Sequence, residues 1–139
     1  MTPKLKTGLI LLSGIVLGAA SMQGLRAQQA QGSAVAGVKN TDLVMRDLDG
    51  APNRTFIVAS GEIPVGGVAI PHSHQGDTYH YLLEGEWQVE VGGKALTLKP
   101  GQGIFHPRGE IHGGKFPNGG KLLSFYVLDK GFPRVVPAK

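Results

Sequence analysis

The sequence predicts an all-β domain, a sandwich or closed barrel of about eight short strands with frequent turns, and three observations carry that prediction. From Asp42 onward no segment holds the three-to-four residue apolar spacing of an amphipathic helix over several turns. Short apolar or alternating runs recur instead. Glycine and proline break them at close intervals, with 22 Gly and 9 Pro among 139 residues.

The clearest runs, in chain order, are Thr55–Ala59, Val68–His74, Thr78–Leu83, Trp87–Val91, Ala95–Leu98, Gly103–His106 and Leu122–Leu128. Trp87 to Val91 alternates strictly, as a half-buried strand does. Gly92-Gly93 joins it to Lys94–Leu98 as a two-residue hairpin turn, where glycine supplies positive φ at little cost. Glu84-Gly85-Glu86 marks a second tight reversal. Trp87, Phe105, Phe116 and Phe125 read as core aromatics. Glu84, Glu86 and Glu90 read as charges on solvated strand faces. Tyr79, Tyr81 and Leu83 face away from Thr78, His80 and Leu82, so both faces of that strand are largely apolar. A sheet wetted on one side alternates more cleanly. Either another sheet or a second subunit is therefore expected over the outer face.

The start of the chain reads differently. Lys4 and Lys6 precede an uncharged stretch from Gly8 to Ala20, and small or polar residues lead to Ala27. This is the pattern of a secretory signal peptide, residues 1–27, cut after Ala27. The apolar run is shorter than the ~20 residues needed to span a bilayer, so no membrane association is expected after cleavage. The protein is then periplasmic or secreted. Residues 28–41, rich in Gln, Ala and Gly, read as a flexible leader, and 42–139 as the domain. Of 14 basic residues in the chain, Lys4, Lys6 and Arg26 leave with the signal, so 11 remain against 10 acidic ones. That balance gives no basic surface for nucleic acid. With no cysteine, stability rests on the core and not on disulfides.

All five histidines lie between positions 72 and 112. His72 and His74 are two apart on a predicted strand, so both project from one face, the face assigned to Val68 and Ile70. Two same-facing imidazoles can present nitrogens to one divalent transition metal. His112 supplies a third ligand, after the rigid Pro107-Arg108-Gly109 turn. His80 and Thr78 share a face, and both are candidates for a fourth ligand or for a group that hydrogen-bonds a metal-bound water. His80, His106 and Tyr126 are candidates for proton transfer or for lining the pocket. Arg108 reads as a solvated loop charge more readily than as an anion anchor.

These residues resemble the cupin superfamily, in particular its small single-domain bacterial members of the type-2, quercetin-dioxygenase-like kind. The first motif of that family runs Gly66, His72, His74, position 78 and Gly85. The second runs Gly101, Pro107, Gly109, His112 and position 116. The match extends from about Arg54 to Leu128. It implies a jelly-roll barrel, the double-stranded β-helix, with a metal on His72, His74 and His112. It also implies dimers. Two slots depart from the pattern: the usual glutamate is Thr78 and the usual asparagine is Phe116. Three neutral ligands leave the metal more positive, with open positions. Similar three-histidine iron sites in cupin-type dioxygenases imply iron here, with nickel, copper, zinc or manganese as alternatives, and a small-molecule substrate. A non-catalytic module that binds a small ligand or metal, or a sugar-acid isomerase or lyase, would use the same histidines.

Overall fold

The structure is a computed structural model and describes residues 33–139. The expected signal peptide, its cut after Ala27 and the first part of the leader lie outside the described residues. Those described form ten strands and no helix: β1 Lys39–Leu48, β2 Ala51–Ile63, β3 Gly67–Ser73, β4 Gly76–Gly85, β5 Trp87–Val91, β6 Lys94–Leu98, β7 Gly103–His106, β8 His112–Phe116, β9 Gly120–Asp129 and β10 Val136–Pro137. They build two five-stranded antiparallel sheets, ordered β1-β2-β9-β4-β7 and β10-β3-β8-β5-β6. This is the jelly-roll arrangement, with the inner faces of the two sheets enclosing the core.

The domain begins earlier than its expected boundary at Asp42. β1 already pairs with β2 at Lys39↔Glu62. Ahead of it, Val35 bridges Ala69, and the Ala34 carbonyl accepts from the Ile70 N–H at 3.0 Å. The strand was illegible in sequence because it is a sheet edge. Leu43, Val44 and Met45 are all exposed, so no apolar alternation marks it.

Gly92-Gly93 makes the expected hairpin, with φ of 54° and 73° and Val91 paired to Lys94. Glu84-Gly85-Glu86 does not. β4 pairs with β9 and β7, whereas β5 pairs with β6 and β8, so Gly85 is a corner where the chain passes between sheets. Phe105 also departs from expectation. It is 55% exposed, because Ile104 and His106 take the inner face of β7.

One core cluster gathers Ile63, Ala69, Leu82, Trp87, Val89 and Phe116. Trp87 and Phe116 stack at 5.3 Å with planes 12° apart. A second cluster holds Ile57, Ala59, Tyr126 and Leu128. The histidines sit between the two. The outer face of β4 is covered by neither sheet, and Tyr79 and Leu83 remain partly exposed there beside Phe105.

Candidate metal centre

His72 lies on β3, His74 one residue past its end and His112 at the start of β8; His72 and His112 are register partners across the two strands. The inner face of β3 is not the one expected. Val68 and Ile70 are exposed, whereas Ala69, His72 and His74 are buried. A register shift between Ala69 and His72 is the cause: Ile70 and Pro71 both turn outward, and the alternation resumes one residue late. The bulge turns His72 inward. On β8, Gly114 has φ of 134°, and a Cβ there would lie 2.1 Å from the Gln88 carbonyl oxygen. Only glycine lets β8 lie this close to β5 and carry His112 to the site.

All five histidines are at least nine-tenths buried. His72, His74 and His112 each offer one nitrogen, and the three lie within 4.8 Å of one another. Their Nδ1 atoms point away from that meeting place. Each donates to a main-chain carbonyl: His72 to Ile70 at 2.7 Å, His74 to Arg134 at 2.5 Å and His112 to Glu110 at 3.1 Å. A carbonyl can only accept, so the proton is on Nδ1 and the Nε2 lone pair is free. The Nε2 atoms of His74 and His112 are buried without a hydrogen-bond partner. Buried polar atoms are normally paired, and a metal would satisfy both. The residues present therefore fit a divalent transition metal, held by His72, His74 and His112.

Desolvation keeps these rings neutral. It pulls His74 down to about 4 and His112 to about 3, and it lowers His72 as well. Neutral imidazole is the form that ligates.

His80 and His106 form a second tier. With His112 they make another group whose nitrogens lie within 4.8 Å of one another. His80 is thus not a fourth corner of the first triangle; the two groups share only His112. The His106 ring stacks on His112 at 3.6 Å with planes 5° apart. His106 Nδ1 donates to Glu110 Oε2 at 2.8 Å, while His80 Nδ1 hydrogen-bonds Ser124 Oγ at 2.7 Å. Burial lowers both rings' pKa, His80 well below the ordinary value.

Thr78 faces inward opposite His106 and Tyr126, and its Oγ1 is buried without a partner. Phe116 fills the other departing slot with core packing. Tyr126 packs its ring against His74 at 5.3 Å and His80 at 5.8 Å. Burial holds its phenol above the ordinary value, so it stays a neutral hydroxyl. Arg108 is committed elsewhere: it pairs with Asp129 at the surface and its main-chain N–H donates to Asp77.

A cavity of about 70 Å³ opens onto the triad, lined also by His80, Trp87, Tyr126 and Arg134. Arg134, Ser124 and Glu110 were missed by sequence reasoning. Glu110 lies inside the second motif, so its place four residues after His106 was a usable signal. Arg134 and Ser124 carry none.

Residues 55–128 match the Cupin domain family, more than half of the chain. The chain is a cupin. Its fold neighbours agree. A cupin superfamily protein from Desulfitobacterium hafniense is 19% identical, with a TM-score of 0.59 over 68% of this chain and 80% of that one. The DMSP lyase DddQ from Ruegeria pomeroyi is 20% identical, with a TM-score of 0.60 over 77% of this cupin and 57% of the lyase. The polyketide cyclase RemF from Streptomyces resistomycificus is 25% identical, with a TM-score of 0.57 over 77% and 75%. Among curated proteins, none matches the chain in sequence.

Proposed function

We propose that this cupin is an exported, metal-dependent enzyme that oxidises a small organic molecule with O₂, a non-haem iron dioxygenase. The observation that carries the reading is the set of three convergent, neutral, buried imidazoles with no carboxylate among them, at the wall of a small cavity. Three nitrogen ligands leave an iron(II) ion with open positions, and the bound metal would supply Lewis acidity and one-electron chemistry toward O₂. The chain's own residues do the rest. Main-chain carbonyls hold the ligand rings in the productive tautomer. The Trp87 and Phe116 pair walls the cavity against water. His80, whose Nδ1 hydrogen-bonds Ser124, would take or return a proton at its other ring nitrogen. In net terms both oxygen atoms enter the organic product, whose oxidation supplies the four electrons. A cavity of about 70 Å³ suits a compact enolate or diketone-like substrate.

Metal analysis of the exported protein, followed by oxygen uptake with a panel of small diketones and thiols, tests the reading. One equivalent of iron and substrate-dependent oxygen consumption are expected. Metal without turnover on any compound would leave a binding module. A redox-neutral reaction has one observation in its favour, the likeness to the polyketide cyclase RemF, and substrate loss without oxygen uptake would select it.

Export and dimerisation belong to the same proposal. N-terminal sequencing of exported material should begin at Gln28, and an intact Met1 would contradict it. A second copy is proposed over Tyr79, Leu83 and Phe105, exposed on the outside of the first sheet. Light scattering should give twice the chain mass, and a clean monomer at high concentration would refute the dimer.

A further inference from the structure

We infer that Arg134 is the anion anchor of the cavity, and that the ligand is a small carboxylate carrying a second oxygen donor. Arg134 is only 5% exposed and lies three residues past Gly131, in the segment that leads into β10. Its Nη1 and Nη2 pair with the two Asp42 oxygens at 2.9 and 3.0 Å, which ties this segment to β1. A latch of that kind accounts for four of the five guanidinium protons at most. The remaining donor, Nε–H, is buried with no acceptor. Leaving a buried donor unpaired is costly, and Arg134 lines the same cavity as the triad.

The position suits a ligand that also reaches the histidines. The guanidinium carbon lies 5.3 Å from the centre of the Tyr126 ring, which also packs against His74 at 5.3 Å. The Arg134 carbonyl itself holds His74 Nδ1. Charge points the same way. No Asp or Glu lines the cavity, and position 78 is a neutral threonine. Asp42 balances the guanidinium, so the positive charge left for the ligand is that of a divalent ion on three neutral imidazoles, with the Arg134 Nε–H as a further donor. The small cavity volume of about 70 Å³ favours a compact ligand. A short 2-hydroxy or 2-oxo acid meets every condition, with its carboxylate on Arg134 and its second oxygen toward the triad. The second contact rests on the metal site proposed above; the first does not.

Lactate and its uncharged isostere acetoin separate the two. Trp87, the one tryptophan of the chain, lines the cavity and reports occupancy by fluorescence. Both compounds are titrated into zinc-loaded and chelator-treated protein, with zinc content measured independently. Zinc-loaded wild type should bind lactate about tenfold more tightly than acetoin, the scale of a charge-assisted contact. Arg134→Lys keeps a charge opposite Asp42 and the carbonyl that holds His74, but has no Nε–H; it should lose that preference while acetoin affinity and zinc content stay unchanged. Asp42→Asn should strengthen lactate binding, because it frees the guanidinium charge, and a purely structural latch would not do so. Arg134→Lys retaining the full preference, or weakening both compounds equally, overturns the proposal, as does a wild type without preference. If the preference is the same with and without zinc, Arg134 stands and the metal contact fails.

Discussion

The two tiers of histidines are built on different anchors. His72, His74 and His112 hang from main-chain carbonyls, whereas His80 and His106 hang from the side chains of Ser124 and Glu110. A carbonyl has no proton to offer, so it fixes both tautomer and ring orientation for as long as the strand is folded. A hydroxyl donates or accepts, and a carboxylate can move; Glu110 has a side chain 34% exposed. The His72, His74 and His112 tier is thus rigid and committed to presenting lone pairs, as a ligand set must be. The His80 and His106 tier can respond to what is bound. His112 belongs to both, and it joins them by stacking on His106.

Removing His112 should have the largest effect, because it takes a ligand from each group. His112→Ala is expected to lower metal affinity beyond the ~100-fold that loss of a supporting residue causes, read by equilibrium dialysis. Retention of full metal content would dissolve the distinction between the tiers.

Acid should come next. His74 and His112 remain neutral in the folded protein down to about 4 and about 3, against 6.5 for a free ring. Between those values the unfolded chain takes up protons that the folded one refuses. Stability of the metal-free protein should therefore fall as pH drops from 6.5 through this window, and level off below it. Bound metal should steepen the fall, since ligation requires the deprotonated rings. Urea denaturation at several pH values reads both, and a flat profile would show the rings to be solvated.

Within the second tier, His80→Ala should reduce metal affinity or turnover about tenfold, ~1.4 kcal/mol. Glu110→Gln should cost less, since an amide oxygen still accepts from His106. Thr78→Ala should be smallest, neutral or slightly stabilising, because it deletes a buried hydroxyl that has no partner. Thr78→Glu should tighten metal binding by adding a carboxylate. Should Thr78→Ala harm affinity as much as His80→Ala, the threonine takes part in the site and the ranking reverses.

Much of the frame is legible along the chain itself. Alternation along Thr78–Leu83 placed Thr78, His80 and Leu82 inward correctly, since β9 pairs with this strand without a break from Thr78 to Leu82 and β7 pairs with it from Thr78 to Tyr81. The same rule failed along Val68–His74, where the bulge at Ile70–Pro71 reverses the faces. It placed both histidines on one face, but for Val68 and Ile70 it named the wrong side. Phe105 failed for a related reason: a short edge strand gave its large apolar residue to the outside and its histidine to the core.

The sequence by itself determined the all-β class, the Gly92-Gly93 hairpin and the spacing that selects His72, His74 and His112. These are local quantities, set by period-two alternation and by glycine and proline at fixed offsets. Only the tertiary structure decided what holds each ring. His74 meets the carbonyl of Arg134 across 60 residues, and His80 meets Ser124 across 44. Such partners are chosen by how the two sheets pack, not by neighbours along the chain. Strand alternation states which face a side chain takes; it contains no term for the strand that will lie opposite.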